Sequence, residues 1–228
     1  MSKSINYNGL NLTVGKGSQI SEDATIGFKE HGKGKIIIGN NVTIDSGVVL
    51  RTYGGTITID NNVYIGIDTI IYGGGNVQIK ENTLISPRVQ IYAQNHGICI
   101  NSTIRSQKND MYGVWIGNDC WIGAGSIITD GVQICKGCVL GAGSVLTKNM
   151  MIAYEVWAGN PAKFIKKRPV CESFLNKSTP FPKVDTCKSD VNLTPVVCPD
   201  KPYSLPYACG GYYDYILENF DIEEWEVS

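Results

Sequence analysis

Between residues 116 and 151 an aliphatic side chain returns at every sixth position: Ile116, Ile122, Ile128, Ile134, Leu140 and Leu146. A helix repeats every 3.6 residues and a half-buried strand every two, so neither accounts for a strict period of six. A six-residue period predicts a parallel β-helix, in which each hexad is one short strand and one turn. The first position of each hexad then points into the core. The fifth is small or β-branched (Cys120, Ser126, Val132, Cys138, Ser144), with Met150 as the exception. The fourth is Asp119, Gly125, Gly131, Gly137, Gly143 or Asn149, residue types that tolerate a left-handed backbone at a tight corner.

The same register runs upstream through Val14, Ile20 and Ile26, then Ile38, Ile44 and Leu50, then Ile59, Ile65 and Ile71, then Ile79, Ile85 and Ile91. Three hexads close one triangular coil, so the pattern predicts an all-β solenoid of about six coils over residues 1–151. At ~4.8 Å per coil the prism is roughly 29 Å tall. Extra residues follow Ile26, Leu50, Ile71 and Ile91 and never interrupt a triplet. Every insertion therefore leaves from one corner of the triangle. The longest occupies residues 97–115 and carries Cys99, Arg105, Asp110 and Tyr112. Long loops on a compact scaffold are where binding and catalysis concentrate, which makes this the expected active-site loop.

Beyond Met151 the repeat ends. In residues 152–168, Asn160 followed by Pro161 reads as the cap and first residue of a short C-terminal helix. Lys163, Lys166, Lys167 and Arg168 lie on that element, either as a solvated cap on the prism or as a polyphosphate-binding patch. Residues 169–228 are rich in Pro, Ser, Thr and Cys and have no sustained period. They read as an irregular extension that wraps the solenoid or a neighbour, its last stretch a docked short helix or a frayed tail.

Composition narrows the function. A net charge of −1 gives no general attraction to nucleic acid. No apolar run approaches the ~20 residues of a membrane span. The first residues lack the apolar core of a signal peptide, so a cytoplasmic protein is expected. Of eight cysteines, Cys120 and Cys138 fill the small inward slot, and Cys135 with Cys138 forms a C-x-x-C pattern that the hexad itself explains. Reduced, buried thiols are expected there. Cys171, Cys187, Cys198 and Cys209 lie outside the repeat. The chain has two histidines, His31 and His96. Two cannot build a three-histidine zinc site, so no metal is expected. Imidazole suits a general base near neutral pH. His96 stands at the insertion corner, whereas His31 reads as a surface-loop residue.

The repeat, with NHGI at 95–98, WIGAG at 121–125, GAGSVLTK at 141–148 and AGNPAK at 158–163, resembles the hexapeptide-repeat acyltransferases. The branch is that of galactoside, maltose, xenobiotic and polysaccharide O-acetyltransferases. The resemblance covers about residues 14–168. It implies a left-handed coil, although parallel crossovers are right-handed in ~98% of cases. It implies a homotrimer with sites between neighbouring prisms, and acetyl-CoA as acyl donor. On this likeness His96 is the catalytic base and Trp121 lines the site beside the thioester, with a backbone N–H at or just after Gly123 as oxyanion donor. Ala124, Ala142, Thr147 and Lys148 contact the cofactor, and Lys163 and Lys166 pair with its phosphates. Arg105 and Tyr112 are candidates for the carbohydrate acceptor, and Arg105 or Asp110 for orienting it or His96. Tyr212, Tyr213 and Trp225 are further aromatic residues that either stack on sugar or pack between subunits. The expected reaction is acetyl transfer to a sugar hydroxyl of a surface polysaccharide or its precursor. Three alternatives stay open: an amino-sugar nucleotide as acceptor, a xenobiotic, and a non-enzymatic solenoid scaffold.

Overall fold

The computed structural model describes residues 3–7, 10–27 and 34–170. Each predicted triplet is one coil, and successive coils stack strand on strand to form three parallel sheets. Face A begins with Lys3–Tyr7 and continues through Leu10–Val14, Gly34–Ile38, Thr56–Ile59, Val77–Ile79, Val114–Ile116 and Gln133–Ile134. Face B runs from Gln19–Ile20 through Thr43–Ile44, Tyr64–Ile65, Leu84–Ile85, Trp121–Ile122 and Val139–Leu140. Face C runs from Thr25–Ile26 through Val49–Arg51, Ile70–Tyr72, Gln90–Tyr92, Ile127–Ile128 and Val145–Leu146. Neighbours within the coils are parallel because each coil returns to a face one turn later. Only Lys3–Tyr7 pairs antiparallel at the entrance, onto Leu10–Val14. The left hand is that of the hexapeptide-repeat solenoid.

The core is the column of first positions. From Ile38 to Leu146 these aliphatic side chains are almost wholly buried, while Val14, Ile20 and Ile26 of the first coil are partly buried. Cys120, Ser126, Val132, Cys138, Ser144 and Met150 fill the fifth position, also buried. The serine slot works because Ser126 Oγ is satisfied by the Gly123 and Gly141 carbonyls at 2.7 and 2.9 Å. Removing one first-position side chain, as in Ile122→Ala, costs about 2–5 kcal/mol. The corners take positive φ where the fourth position predicts it: 56° at Asp119, 68° at Gly125 and 71° at Gly137.

Two expectations change. The predicted helix at 152–168 is a β-hairpin. Glu155–Gly159 adds to face B beside Val139–Leu140, and Ala162–Lys167 folds back antiparallel upon it. Asn160–Pro161, joined by a cis peptide bond, makes the turn. The last coil leaves an unpaired sheet edge, and a strand satisfies its backbone groups where a helix would not. The loop is also shorter than 97–115. Asn95–His96 pairs antiparallel with Asn109–Asp110, and Val114–Ile116 is already strand. His31, residues 171–228 with Cys171, Cys187, Cys198 and Cys209, and the aromatic Tyr212, Tyr213 and Trp225 lie outside the described residues.

Candidate active site

The candidate residues stand on two different edges of the prism. At the corner from face C to face A, the strand Gln90–Tyr92 runs on into the hairpin that carries His96. The His96 side chain is exposed, and its backbone N–H donates to Asn95 Oδ1 at 2.9 Å. Beyond it the loop makes one 3-10 turn, Ile104–Ser106, with Arg105 exposed on it. Ile98, Ile100, Ile104 and Met111 also face outward. Tyr112 is partly buried as the chain returns over the glycines of this corner. A Cβ at Gly131 would lie 3.6 Å from Tyr112 Cβ, and one at Gly75 would meet the Met111 and Tyr112 backbone. Asp130, the residue before Gly131, is half-buried. Burial raises its carboxyl above the usual range, and the charge of Asp110 adds to the shift. Thr147 and Lys148 occupy the same corner two coils further along the prism.

The second edge lies between faces B and C. Trp121, on the outward side of face B, is 53% exposed. Its indole N–H donates to Ser86 Oγ at 2.9 Å, which holds the ring against the preceding coil. Ser86 leads into a shallow groove lined by Ile67, Pro87, Arg88, Ala124 and Gly125. Ala142 stacks one coil above Ala124, and the Gly143 N–H donates to the Ala124 carbonyl at 2.8 Å. A Cβ at Gly125 or Gly143 would meet nothing within 4 Å, so this edge is smooth and open.

The amides along the edge alternate in use. Gly123 N–H donates to Leu140 O at 2.7 Å and Gly125 N–H to Pro87 O at 3.0 Å. Gly123 is therefore committed to the ladder and cannot serve as an oxyanion donor. Ala124 N–H, between them, meets no backbone carbonyl among the described residues. Lys163 and Lys166 are exposed on the terminal hairpin beside face B. Arg168 belongs to the fold instead. Its guanidinium donates to Asp119 Oδ2 at 2.8 Å and to Gly137 O at 2.9 Å, and it lies over the Tyr154 ring.

His96, Arg105, Tyr112, Thr147 and Lys148 thus share one edge. Trp121, Ala124, Ala142, Lys163 and Lys166 share face B and its edge with face C. Within one chain a whole face, roughly 15 Å of extended backbone, separates the two sets. No group of three or more His, Cys, Asp or Glu side chains suited to a metal occurs among the described residues. Cys99, Cys120, Cys135 and Cys138 are free thiols. Burial pushes Cys120 up to about 12 and Cys138 up to about 11, so neither is a nucleophile at neutral pH. No helix of the described residues is long and apolar enough to cross a membrane. Sequence reasoning missed Ser86, Gln107 and Asp130. Their contacts are side-chain contacts across coils or within the loop, which leave no periodic signal.

Residues 113–148 match the family described as bacterial transferase hexapeptide (six repeats). A Saccharomyces cerevisiae protein named as an acetyltransferase is 38% identical over 115 residues, 50% of this chain and 58% of the relative. The galactoside O-acetyltransferase of Escherichia coli is 33% identical over 99 residues, 42% of this chain and 47% of the relative. The chain spans less than two thirds of the length of the curated relatives it matches. Among solved structures, AntD, an N-acyltransferase from Bacillus cereus in complex with dTDP and coenzyme A, is 29% identical with a TM-score of 0.57. That likeness covers 68% of this chain and 83% of AntD. The chain carries the bacterial transferase hexapeptide repeat and is similar, in sequence and in fold, to acetyl- and acyltransferases built on that repeat.

Proposed function

We propose that this protein is a trimeric, cytoplasmic acetyltransferase that moves an acetyl group from acetyl-CoA to a hydroxyl of a carbohydrate, in a bacterial surface polysaccharide or its precursor. One observation carries the reading: a histidine on an ordered hairpin at one prism edge, and a smooth alanine–glycine edge beside an anchored tryptophan at the other. Neither is a site alone. A neighbouring copy brings the His96 edge of one prism against the Trp121 edge of the next. The outward positions of faces B and C suit such packing, since Tyr64, Leu84, Trp121, Val139 and Val156 line one and Val49, Ile70, Ile127 and Val145 the other.

In that cleft the pantetheine arm lies along Ala124 and Ala142, and Lys163 and Lys166 meet the phosphates of acetyl-CoA. Thr147 and Lys148 contact the cofactor from the His96 side. The His96 imidazole takes the proton of the acceptor hydroxyl as its oxygen attacks the thioester carbonyl. Ala124 N–H, replacing the expected Gly123, donates to the developing oxyanion. Collapse of the tetrahedral intermediate breaks the C–S bond, and the His96 imidazolium returns the proton to the leaving thiolate. Arg105 and Tyr112, on the same loop, contact the carbohydrate. A second reading is favoured by the likeness to AntD: transfer to the amine of an amino-sugar nucleotide, with the same donor half. Purified protein incubated with acetyl-CoA and a panel of hydroxyl and amino sugars, read by mass spectrometry, tests both. Acetylation of a hydroxyl-bearing glycan supports the first, turnover only with an amino-sugar nucleotide supports the second, and turnover with neither refutes both.

A further inference from the structure

The loop that follows His96 has no hydrophobic core. Every residue from Ile98 to Met111 is exposed except Gln107, which is partly buried. Such a segment holds a fixed shape only if polar contacts fix it, and these contacts converge on Gln107. Its Oε1 accepts from the Cys99 N–H at 2.8 Å. Its Nε2 donates to the Cys99 carbonyl at 2.9 Å and to the Ser102 carbonyl at 3.1 Å. The amide therefore reads the N–H and C=O of one residue together, as a neighbouring strand would, and reaches a third backbone group across the turn. Its orientation is set by chemistry, because the oxygen faces a donor and the nitrogen faces two acceptors. The side chain also lies against the backbone of Gly97. A Cβ on Gly97 would stand 2.8 Å from Gln107 Oε1, 2.9 Å from Gln107 Cβ and 3.0 Å from Lys108 O. Gly97 directly follows His96, and its N–H closes the hairpin onto Lys108 O at 3.3 Å.

We propose that Gln107 is a positioning residue: it clamps the 97–108 loop and so fixes the backbone from which His96 reaches the acceptor, with Gly97 as the small residue that lets the clamp close. This rests on His96 being the general base. The amide touches no substrate. It acts by holding the hairpin in register, and a displacement of about 1 Å at a reacting group costs on the order of 10²-fold in rate.

The test compares five full-length proteins: wild type, His96→Ala, Gln107→Ala, Gly97→Ala and the Gly97→Ala/Gln107→Ala pair. Acetyl transfer to the best acceptor of the panel is measured with the KM for acetyl-CoA and the Tm. Expected is a fall in kcat of about 10- to 100-fold for each loop single variant, with the acetyl-CoA KM within about twofold and Tm nearly unchanged, because the loop buries no core residue. The double variant should be no worse than the worse single, since both changes undo one clamp. Gln107→Glu, which keeps the acceptor but loses both donors at neutral pH, should fall between wild type and Gln107→Ala. A multiplicative double variant overturns the proposal. So do loop variants at wild-type kcat beside an inactive His96→Ala, or a kcat loss that tracks Tm or acetyl-CoA KM. Normal turnover by His96→Ala instead overturns the base assignment on which the clamp rests.

Discussion

Replacing Gly143 by asparagine separates the fold from the donor groove. Gly143 turns the sixth coil with φ of 68°. In this solenoid asparagine already turns corners at 54° in Asn41, 58° in Asn62 and 59° in Asn82. Asparagine is one of the few non-glycine residues that visit this region routinely, so its backbone cost is below ~1 kcal/mol. The unfolded chain, having lost a glycine, gives part of that back. Packing adds nothing, since a Cβ there meets no atom within 4 Å. The variant should therefore melt within a few degrees of wild type. Its amide projects into the space beside Ala142, where the pantetheine arm is proposed to lie. Losing one or two good contacts there, about 1.4–2.8 kcal/mol, weakens acetyl-CoA binding by roughly 10- to 100-fold. Calorimetric titration with CoA and the steady-state KM for acetyl-CoA measure it, with Tm as the control. A stable variant that binds CoA like wild type would refute the placement of the cofactor on this edge.

Three further outcomes follow from the described contacts. At pH 8 a thiol at about 12 is thiolate in roughly one molecule in ten thousand and one at about 11 in one in a thousand, so a maleimide should label Cys99 in the native protein and leave Cys120 and Cys138 unlabelled. Asp130 binds its proton more tightly folded than unfolded, so its ionisation opposes folding above its raised folded pKa, and that penalty vanishes below the ordinary 3.8. Asp130→Asn should accordingly raise Tm at pH 7, with a gain that shrinks as pH falls towards 4. Arg168→Ala removes the bonds to Asp119 and Gly137 and should lower Tm by a few degrees, about 1–2 kcal/mol, while an equal Tm would show the hairpin is held by its strand pairing alone.

The hexad columns told which side chains face inward because a solenoid repeats one local environment, and Ile116, Ile122 and Ile128 have counterparts in every coil. The insertion corner was legible for the same reason, since extra residues can leave only between triplets. Asn160–Pro161 was not legible. Locally, asparagine before proline suits a helix start as well as a turn, and the choice fell to the open edge of face B, which is set by the rest of the chain. Gln107 and Asp130 were invisible because a side chain that binds loop backbone, or packs beneath a hairpin, follows no period. Ala124 took the place of Gly123 as oxyanion donor for a related reason: which corner amide is spent on the ladder depends on the coil above. The division of the site between two prism edges needed the strand order, because a linear motif places His96 and Trp121 close in sequence without saying which faces they occupy.

Subunit complementation tests that division most directly. Chains carrying His96→Ala are co-expressed with chains carrying Trp121→Ala and Ala124→Trp, the second pair removing the indole and filling the groove. If each site joins the His96 edge of one copy to the Trp121 edge of the next, every mixed trimer holds one intact site. Random assembly at equal expression then restores about one quarter of wild-type activity, while either chain alone gives almost none. If each site is built within one chain, no intact site can form, and mixed trimers that stay as inactive as the parents would contradict the account.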